Sequence, residues 1–181
     1  LELILESVLE KCLRLSGNHK IMIGAELVNI HFVEDVNYKI LFGTAKKAKG
    51  KEEISGDNFG FTQLNCGQTL MTISDGMGHG QKAYTESETI IELLEQMLES
   101  GFREEVALKL VNLMLMVNSD AGNTATVDMG VIDQYTGICD FIKMGAAPTF
   151  IRHNGWVEML KSTSLPMGVL ESVDYERITK K

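Results

Sequence analysis

The chain has 181 residues and a formal net charge of −8, with 17 Lys and Arg against 25 Asp and Glu. This length is typical of one domain, and the acidic balance argues against a nucleic-acid partner, which a basic face would meet. Hydrophobic residues make up 44% of the chain, which argues against disorder, and no apolar run approaches the roughly 18 residues of a membrane helix.

The first third of the chain predicts one helix and two strands. Apolar side chains spaced by three and four predict an amphipathic helix over residues 1–15, broken at 16–18. Alternating apolar residues then predict strands over 28–32 and 38–42, joined around Glu34 and Asp35. The charged stretch 46–58 is interpreted as a loop.

The middle of the chain predicts a hairpin followed by two helices. Residues 59–64 and 69–74 alternate on either side of a turn at 65–67, which is typical of an antiparallel hairpin. Apolar stripes at helical spacing then predict helices over 81–99 and 103–117.

The last third predicts strands separated by glycine-containing breaks, over 124–133, 137–145, 148–153 and 156–160. Strands grouped apart from paired helices favour antiparallel sheets with helices packed on them. Two such sheets with helices outside would form an α+β fold, an α-β-β-α layered sandwich. Asp128 and Asp133 alternate out of step with the apolar residues and are expected to face solvent.

The segment Ile73–Gly80 has the strongest chemical signal. A predicted strand carries Asp75 to its end, and glycines at 76, 78 and 80 follow before a helix begins. An Asp carboxylate with nearby carbonyls suits a hard divalent cation such as Mg²⁺. The residues alone equally allow Asp75 to be a helix-capping residue in a glycine-rich turn. The spacing matches neither a Walker loop nor a dinucleotide fingerprint.

A second acidic residue, Asp57, precedes the first strand of the hairpin. Antiparallel pairing would place it beside Asp75, where two carboxylates repel unless a cation joins them or one is protonated. A divalent-metal site explains the pair, and a simple Gly-Asp-Asn turn remains the alternative. His79 is compatible with an acid, a metal ligand or a surface residue.

Four segments occur in an order that resembles a known family. They are SGDN at 55–58, ISDGMGHG at 73–80, TATVDMGVID at 124–133 and FIKMGAAPTFI at 141–151. Over about residues 38–181 the chain resembles the phosphatase domain of the stage II sporulation protein E family. Those domains are metal-dependent (PPM, protein phosphatase 2C-like) serine/threonine phosphatases.

The resemblance implies an α-β-β-α sandwich with two Mn²⁺ or Mg²⁺ ions that activate water for direct attack on phosphorus. Asp75 matches the catalytic Asp that bridges both metals, and Gly76 matches the glycine whose carbonyl binds one of them. Asp57 matches the acid that supports the metal shell through water. Many eukaryotic members of the wider PPM family have a His, acting as general acid, where this chain has Met77. That role is therefore not carried over, and His79 has only a possible role as an acid or in substrate binding.

The resemblance also divides the chain. Residues 1–35 are expected to be a regulatory or dimerisation segment, and 36–181 a phosphatase domain that lacks its carboxyl-terminal strands. The missing strands would carry the family's later Asp-Gly and Asp-Asp or Asp-Asn ligands. A non-catalytic binding or regulatory module with the same fold is therefore the alternative function.

The family's partners follow from the same resemblance. The implied substrate is a phosphoserine on a small anti-sigma-factor antagonist, in sporulation signalling. A homodimer is possible through the first helix. The chain is expected in the cytoplasm, in a parent protein anchored to the membrane by an upstream segment.

Overall fold

The structure, a computed structural model, describes residues 1–16, 28–47, 54–78, 80–117 and 124–181. Within these ranges the chain forms three α-helices, one short 3-10 helix and nine β-strands. None of the described helices combines the length and apolarity needed to cross a bilayer.

The first helix is shorter than the sequence predicts. Helix α1 spans Glu2–Leu9 and ends at Glu10, whose φ of 53° is left-handed. The prediction of a helix over 1–15 is therefore wrong beyond residue 9. Leu13–Leu15 instead forms strand β1.

The second strand also differs from its prediction. Strand β2 spans Phe32–Glu34 and pairs antiparallel with β1. The predicted strand over 28–32 is wrong except for its last residue, and residues 38–42 form no strand. A distant partner, rather than a local hairpin, thus determines which residues here are extended.

The predicted central hairpin is confirmed. Strand β3 spans Asp57–Gln63 and pairs antiparallel with strand β4, Gln68–Gly76. A 3-10 helix at Asn65–Gly67 joins them. The loop predicted over 46–58 is wrong at its end, since β3 begins at residue 57, and 48–53 lie outside the described residues.

Both predicted long helices are confirmed. Helix α2 spans Gly80–Glu99 and helix α3 spans Glu104–Val117. Helix α2 stops where Gly101 adopts a φ of 86°, and the N–H groups of residues 101 and 102 donate to the carbonyls of residues 98 and 97. Glycine takes this left-handed conformation without strain, which fixes the end of the helix.

The predicted carboxyl-terminal strands are confirmed, with one addition. They are β5 (Ala125–Asp133), β6 (Cys139–Met144), β7 (Thr149–His153) and β8 (Trp156–Leu160). Strand β9, Glu176–Lys180, has no counterpart among the predictions. The largest sheet is antiparallel in the order β3-β4-β5-β6-β9, and β7 pairs with β8 in a separate hairpin.

The core lies between the five-stranded sheet and the helix pair. Leu70 of β4, Val127 and Met129 of β5, and Ile142 of β6 are buried with the inner faces of α2 and α3. Successive strand residues face opposite sides, so Asp128 points away from the helices, and there it meets Thr149 of β7. The α+β prediction is confirmed, with helices on one face and the β7–β8 hairpin on the other.

A candidate carboxylate site at the end of the sheet

Two carboxylates meet where β3 begins and β4 ends. Asp57 and Asp75 are directly opposite each other in the antiparallel register, as the hairpin predicts. The Ser55 hydroxyl donates to Asp57 Oδ2 at 2.9 Å and accepts from the Asp57 N–H at 3.3 Å. The strand start is thereby turned so that its first side chain stands beside Asp75.

Asp57 and Asp75 place two like charges next to each other. Partial burial, together with the charge of Asp57 and a hydrogen bond to it, raises the pKa of Asp75 above its ordinary value. Within the described part of the chain, no ion pair involves either carboxylate. Two carboxylates placed side by side in this way favour a bound cation or a shared proton.

One glycine, Gly56, leaves space beside the oxygen atoms of Asp75 and Gly76. A Cβ on Gly56 would lie 3.4 Å from Asp75 Oδ1 and 3.1 Å from the Gly76 carbonyl oxygen. The absent side chain therefore leaves a small cradle that borders two oxygen atoms. Oxygen donors of this kind are what Mn²⁺ and Mg²⁺ take in proteins, so the residues fit a divalent cation.

Gly76 is also required by the packing of α2. A Cβ on Gly76 would lie 2.2 Å from the carbonyl oxygen of Ala83, in the first turns of that helix. The Gly76 N–H donates to the Gly56 carbonyl at 3.3 Å, and the next N–H, of Met77, donates to the Thr124 carbonyl at 2.9 Å. The end of β4 is thus held between neighbouring strands and the start of α2.

The carboxylates open onto a groove of about 520 Å³. Asp57, Asp75 and Thr126 lie on one side, and the segment Gly145–Pro148 lies on the other. The Thr126 hydroxyl accepts the N–H of Asp75 at 3.2 Å, which ties the acidic strand end to β5.

A third carboxylate in the groove was not predicted. The expectation that Asp128 faces solvent is wrong, because it forms an ion pair with the wholly buried Lys143. Thr149 donates to Asp128 Oδ2 at 2.6 Å and accepts from Lys143 Nζ at 2.8 Å. A lysine in the middle of the apolar strand FIKM, with an Asp on the adjacent strand, is the sequence signal for this cluster.

The structure brings together Asp57, Asp75 and Gly76 from the predicted site, and it places Met77 in an exposed position beside them. His79 lies outside the described residues. In the described ranges, no three His, Cys, Asp or Glu side chains converge as a metal-binding group. The arrangement therefore offers a carboxylate pair and a carbonyl to a cation, with the remaining positions open to water.

Comparison with known proteins places the chain in a family. A family model described as "Stage II sporulation protein E (SpoIIE)" matches residues 65–181. The stage II sporulation protein E of Bacillus subtilis (strain 168) is 34% identical over 152 residues, which are 84% of this chain and 18% of that protein. The protein of the same name from Priestia megaterium is 34% identical over 143 residues, 79% of this chain and 24% of that protein.

A solved structure matches the fold over almost the whole chain. It contains the PP2C phosphatase domain and a fragment of the regulatory domain of the cell fate determinant SpoIIE from Bacillus subtilis. The TM-score is 0.77 at 30% sequence identity, and the match covers 98% of this chain and 53% of that one. The chain thus spans about half of that structure and about a fifth of the Bacillus subtilis stage II sporulation protein E. From the family match and these identities, the chain belongs to the stage II sporulation protein E family.

Proposed function

We propose that the carboxylate end of the main sheet is part of the metal-dependent active site of a protein-serine phosphatase. The observation that carries this proposal is the pairing of Asp57 and Asp75 beside the cradle left by Gly56. Family membership supports it. Because the chain spans a small share of its curated relatives, their activity is carried over as a proposal.

Asp75 and the Gly76 carbonyl are proposed as metal ligands, and Asp57 as the acid that supports the shell through water. The cofactor is Mn²⁺ or Mg²⁺, two ions as the family resemblance implies. When bound, such a pair supplies a Lewis acid for the phosphoryl group and a water nucleophile at neutral pH. The chain's own part is to hold the carboxylate pair together, which the β3–β4 register and the Ser55 hydrogen bonds accomplish.

The proposed substrate is a phosphoserine on a small anti-sigma-factor antagonist protein, in sporulation signalling. This substrate is carried over from the family resemblance. A homodimer remains part of the proposal, with α1 as the contacting helix, because Leu3, Ile4 and Val8 on this helix are exposed.

A non-catalytic module with the same fold is the second candidate. It is favoured by one observation, that among the described residues no three His, Cys, Asp or Glu side chains converge as a metal-binding group. A surface that binds the same phosphoprotein without hydrolysing it would need no complete metal shell. Assay of the wild-type chain discriminates the two functions.

The test compares Asp75→Asn with Asp174→Asn, an exposed carboxylate that does not line the groove. Both changes remove one charge with almost no change in volume. Hydrolysis of a phosphoserine peptide is followed by phosphate release in millimolar Mn²⁺ and in excess chelator. We expect Asp75→Asn to lose activity by roughly a hundredfold or more, as when a transition-state charge stabiliser is removed.

The Asp174→Asn variant should keep the wild-type rate. Hydrolysis that persists in chelator, or in Asp75→Asn, would contradict the assigned site. A wild-type chain that binds the phosphopeptide and releases no phosphate would support the non-catalytic module instead.

A further inference from the structure

The wall of the groove opposite the carboxylates has an unusual support. It consists of Gly145–Pro148, the short connection between β6 and β7. Its side chains are small, so the main chain itself forms much of the surface that a ligand would meet. Each end of this wall is held by the hydroxyl group of a different residue, Ser164 at one end and Thr149 at the other.

The first end is held through Ser164. The Gly145 N–H donates to the Ser164 hydroxyl oxygen at 3.3 Å, and that hydroxyl lies 2.7 Å from Glu176 Oε2 and 3.1 Å from the Lys143 carbonyl. A hydroxyl has one proton to donate. The shorter, charge-assisted bond to Glu176 takes it, which leaves a lone pair for Gly145.

Glu176 is held as a charged anchor by the same loop. Although partial burial opposes ionisation, hydrogen bonds from Thr163, Ser164 and Ser162 lower the pKa of Glu176 to about 2. The loop is also packed tightly against the wall, since a Cβ on Gly145 would lie 2.7 Å from the Pro166 nitrogen. The φ of Gly145 is 60°, a conformation that suits glycine.

The second end is held through Thr149. Its hydroxyl donates to Asp128 at 2.6 Å and accepts from the buried Lys143 at 2.8 Å. These contacts involve neither Ser164 nor Glu176. The two ends of the wall are therefore held by different hydroxyl groups, one bonded to Glu176 of the edge strand β9 and the other to Asp128 of β5, and Lys143 of β6 contacts both.

The wall between the two anchors has free polar groups. Among the described residues, no hydrogen bond partner meets the main-chain N–H of Ala146 or Ala147. Ala147 is exposed and Ala146 is half-buried. Donors of this kind bind either water or the carbonyl groups of a ligand's main chain.

We infer that Gly145–Pro148 is the wall that contacts the main chain of a phosphoprotein substrate beside its phosphoserine, and that Ser164 and Thr149 are positioning residues for this wall. The inference rests on the proposed function and names the part of the substrate that the groove recognises. A small phosphate ester has no such main chain, so it does not depend on the wall.

The experiment compares Ser164→Ala and Thr149→Val, each of which removes one anchor. Thr179→Ala is the matched control, because it removes a hydroxyl on β9 that is bonded to Asp140 and touches neither anchor. Ser164→Thr and Thr149→Ser restore the hydroxyls. The exchange rate of the Gly145 amide hydrogen and the steady-state kinetics on a phosphoserine peptide and on para-nitrophenyl phosphate are measured for each.

We expect Ser164→Ala to accelerate exchange of the Gly145 N–H, which loses its acceptor. Each anchor variant should raise KM for the peptide by roughly threefold to tenfold, the loss of about one hydrogen bond. The kcat on the peptide and both constants on para-nitrophenyl phosphate should stay within about twofold of wild type. Thr179→Ala should resemble wild type, and the hydroxyl-restoring variants should recover the peptide KM. Two anchors tested separately keep the inference testable if one variant fails to fold.

Unchanged peptide KM in both anchor variants would overturn the inference, as would an equal rise for para-nitrophenyl phosphate or for Thr179→Ala. If the wild-type chain hydrolyses neither substrate, the proposed function fails and the wall is still tested. The affinity of the same peptide, measured by fluorescence anisotropy, then replaces KM. Loss of affinity in the anchor variants alone would support the wall, and equal affinity in all variants would refute it.

Discussion

Replacement of Gly76 by alanine should force β4 and α2 apart. The new Cβ would lie 2.2 Å from the Ala83 carbonyl oxygen, 2.9 Å from its carbonyl carbon and 3.1 Å from its Cα. These are backbone atoms of a helix, so no side-chain rotation relieves the contact. Restoring a 3.0 Å separation requires the helix or the strand to move by at least 0.8 Å.

The cost of this movement follows from the packing. Overpacking of a well-packed interior costs about 1–3 kcal/mol, and a rigid backbone neighbour places Gly76→Ala near the upper value, at about 3 kcal/mol. For a chain of this size, 1 kcal/mol corresponds to about 2–4 °C in Tm, which gives a decrease of roughly 6–12 °C.

Two other glycines provide graded controls for the urea denaturation that measures this effect. Gly43→Ala places a Cβ in open space, and Gly130→Ala meets the end of the flexible Met71 side chain at 3.0 Å. We expect stability in the order Gly43→Ala, Gly130→Ala, Gly76→Ala, from highest to lowest. A Gly76→Ala chain as stable as Gly43→Ala would refute the reasoning that α2 rests directly on the end of β4.

Three further predictions concern charged groups. Asp128→Ala should lower the free energy of unfolding by about 3–5 kcal/mol, because it leaves the buried Lys143 ammonium without its charged partner. The double variant Asp128→Ala with Lys143→Met removes that buried charge as well and should recover part of the lost stability. Glu176, whose pKa is lowered from 4.5 to about 2, should stabilise the fold above pH 4.5 and lose that contribution as the pH falls towards 2. The stability difference between wild type and Glu176→Gln should therefore narrow between pH 5 and pH 2 in urea titrations. Isothermal titration of this chain with Mn²⁺ should show weak, millimolar binding, since water must fill most of the coordination shell around Asp75.

Each of these predictions has a contradicting result. A double variant no more stable than Asp128→Ala would mean that the buried charge is not the source of the loss. A constant difference between wild type and Glu176→Gln down to pH 2 would mean that the carboxylate does not titrate as described. Two tight Mn²⁺ sites would show that this chain supplies more ligands than the carboxylate pair and the carbonyl.

The central hairpin and the long helices could be predicted because local pattern determines them. Residues 59–64 and 69–74 alternate on either side of a short turn, and the acidic residues at its open end are neighbours in any antiparallel register. The stop of α2 at Gly101 is equally local, since a left-handed glycine ends the helix. These are the elements on which the candidate site depends.

The amino-terminal elements could not be predicted because their partners are distant. The apolar stripe continues past Leu9, which favours a longer helix, yet Leu13–Leu15 pairs with Phe32–Glu34. The surroundings of Asp128 were missed for a similar reason. The alternation in β5 predicts that the Asp128 side chain faces solvent. In the structure the β7–β8 hairpin covers that face, and Thr149 of β7 contacts Asp128.

The register that pairs Asp57 with Asp75 has a thermodynamic consequence. Like charges directly opposite each other destabilise an antiparallel pair, so this end of the hairpin is held closed against its own electrostatic repulsion. A cation that binds between the two carboxylates relieves this repulsion. It stabilises the closed hairpin by the difference between its binding free energies for the closed and the open form. Ion binding and closure of the strand ends are thus reciprocal, and a change that loosens the hairpin weakens ion binding even where no ligand is touched.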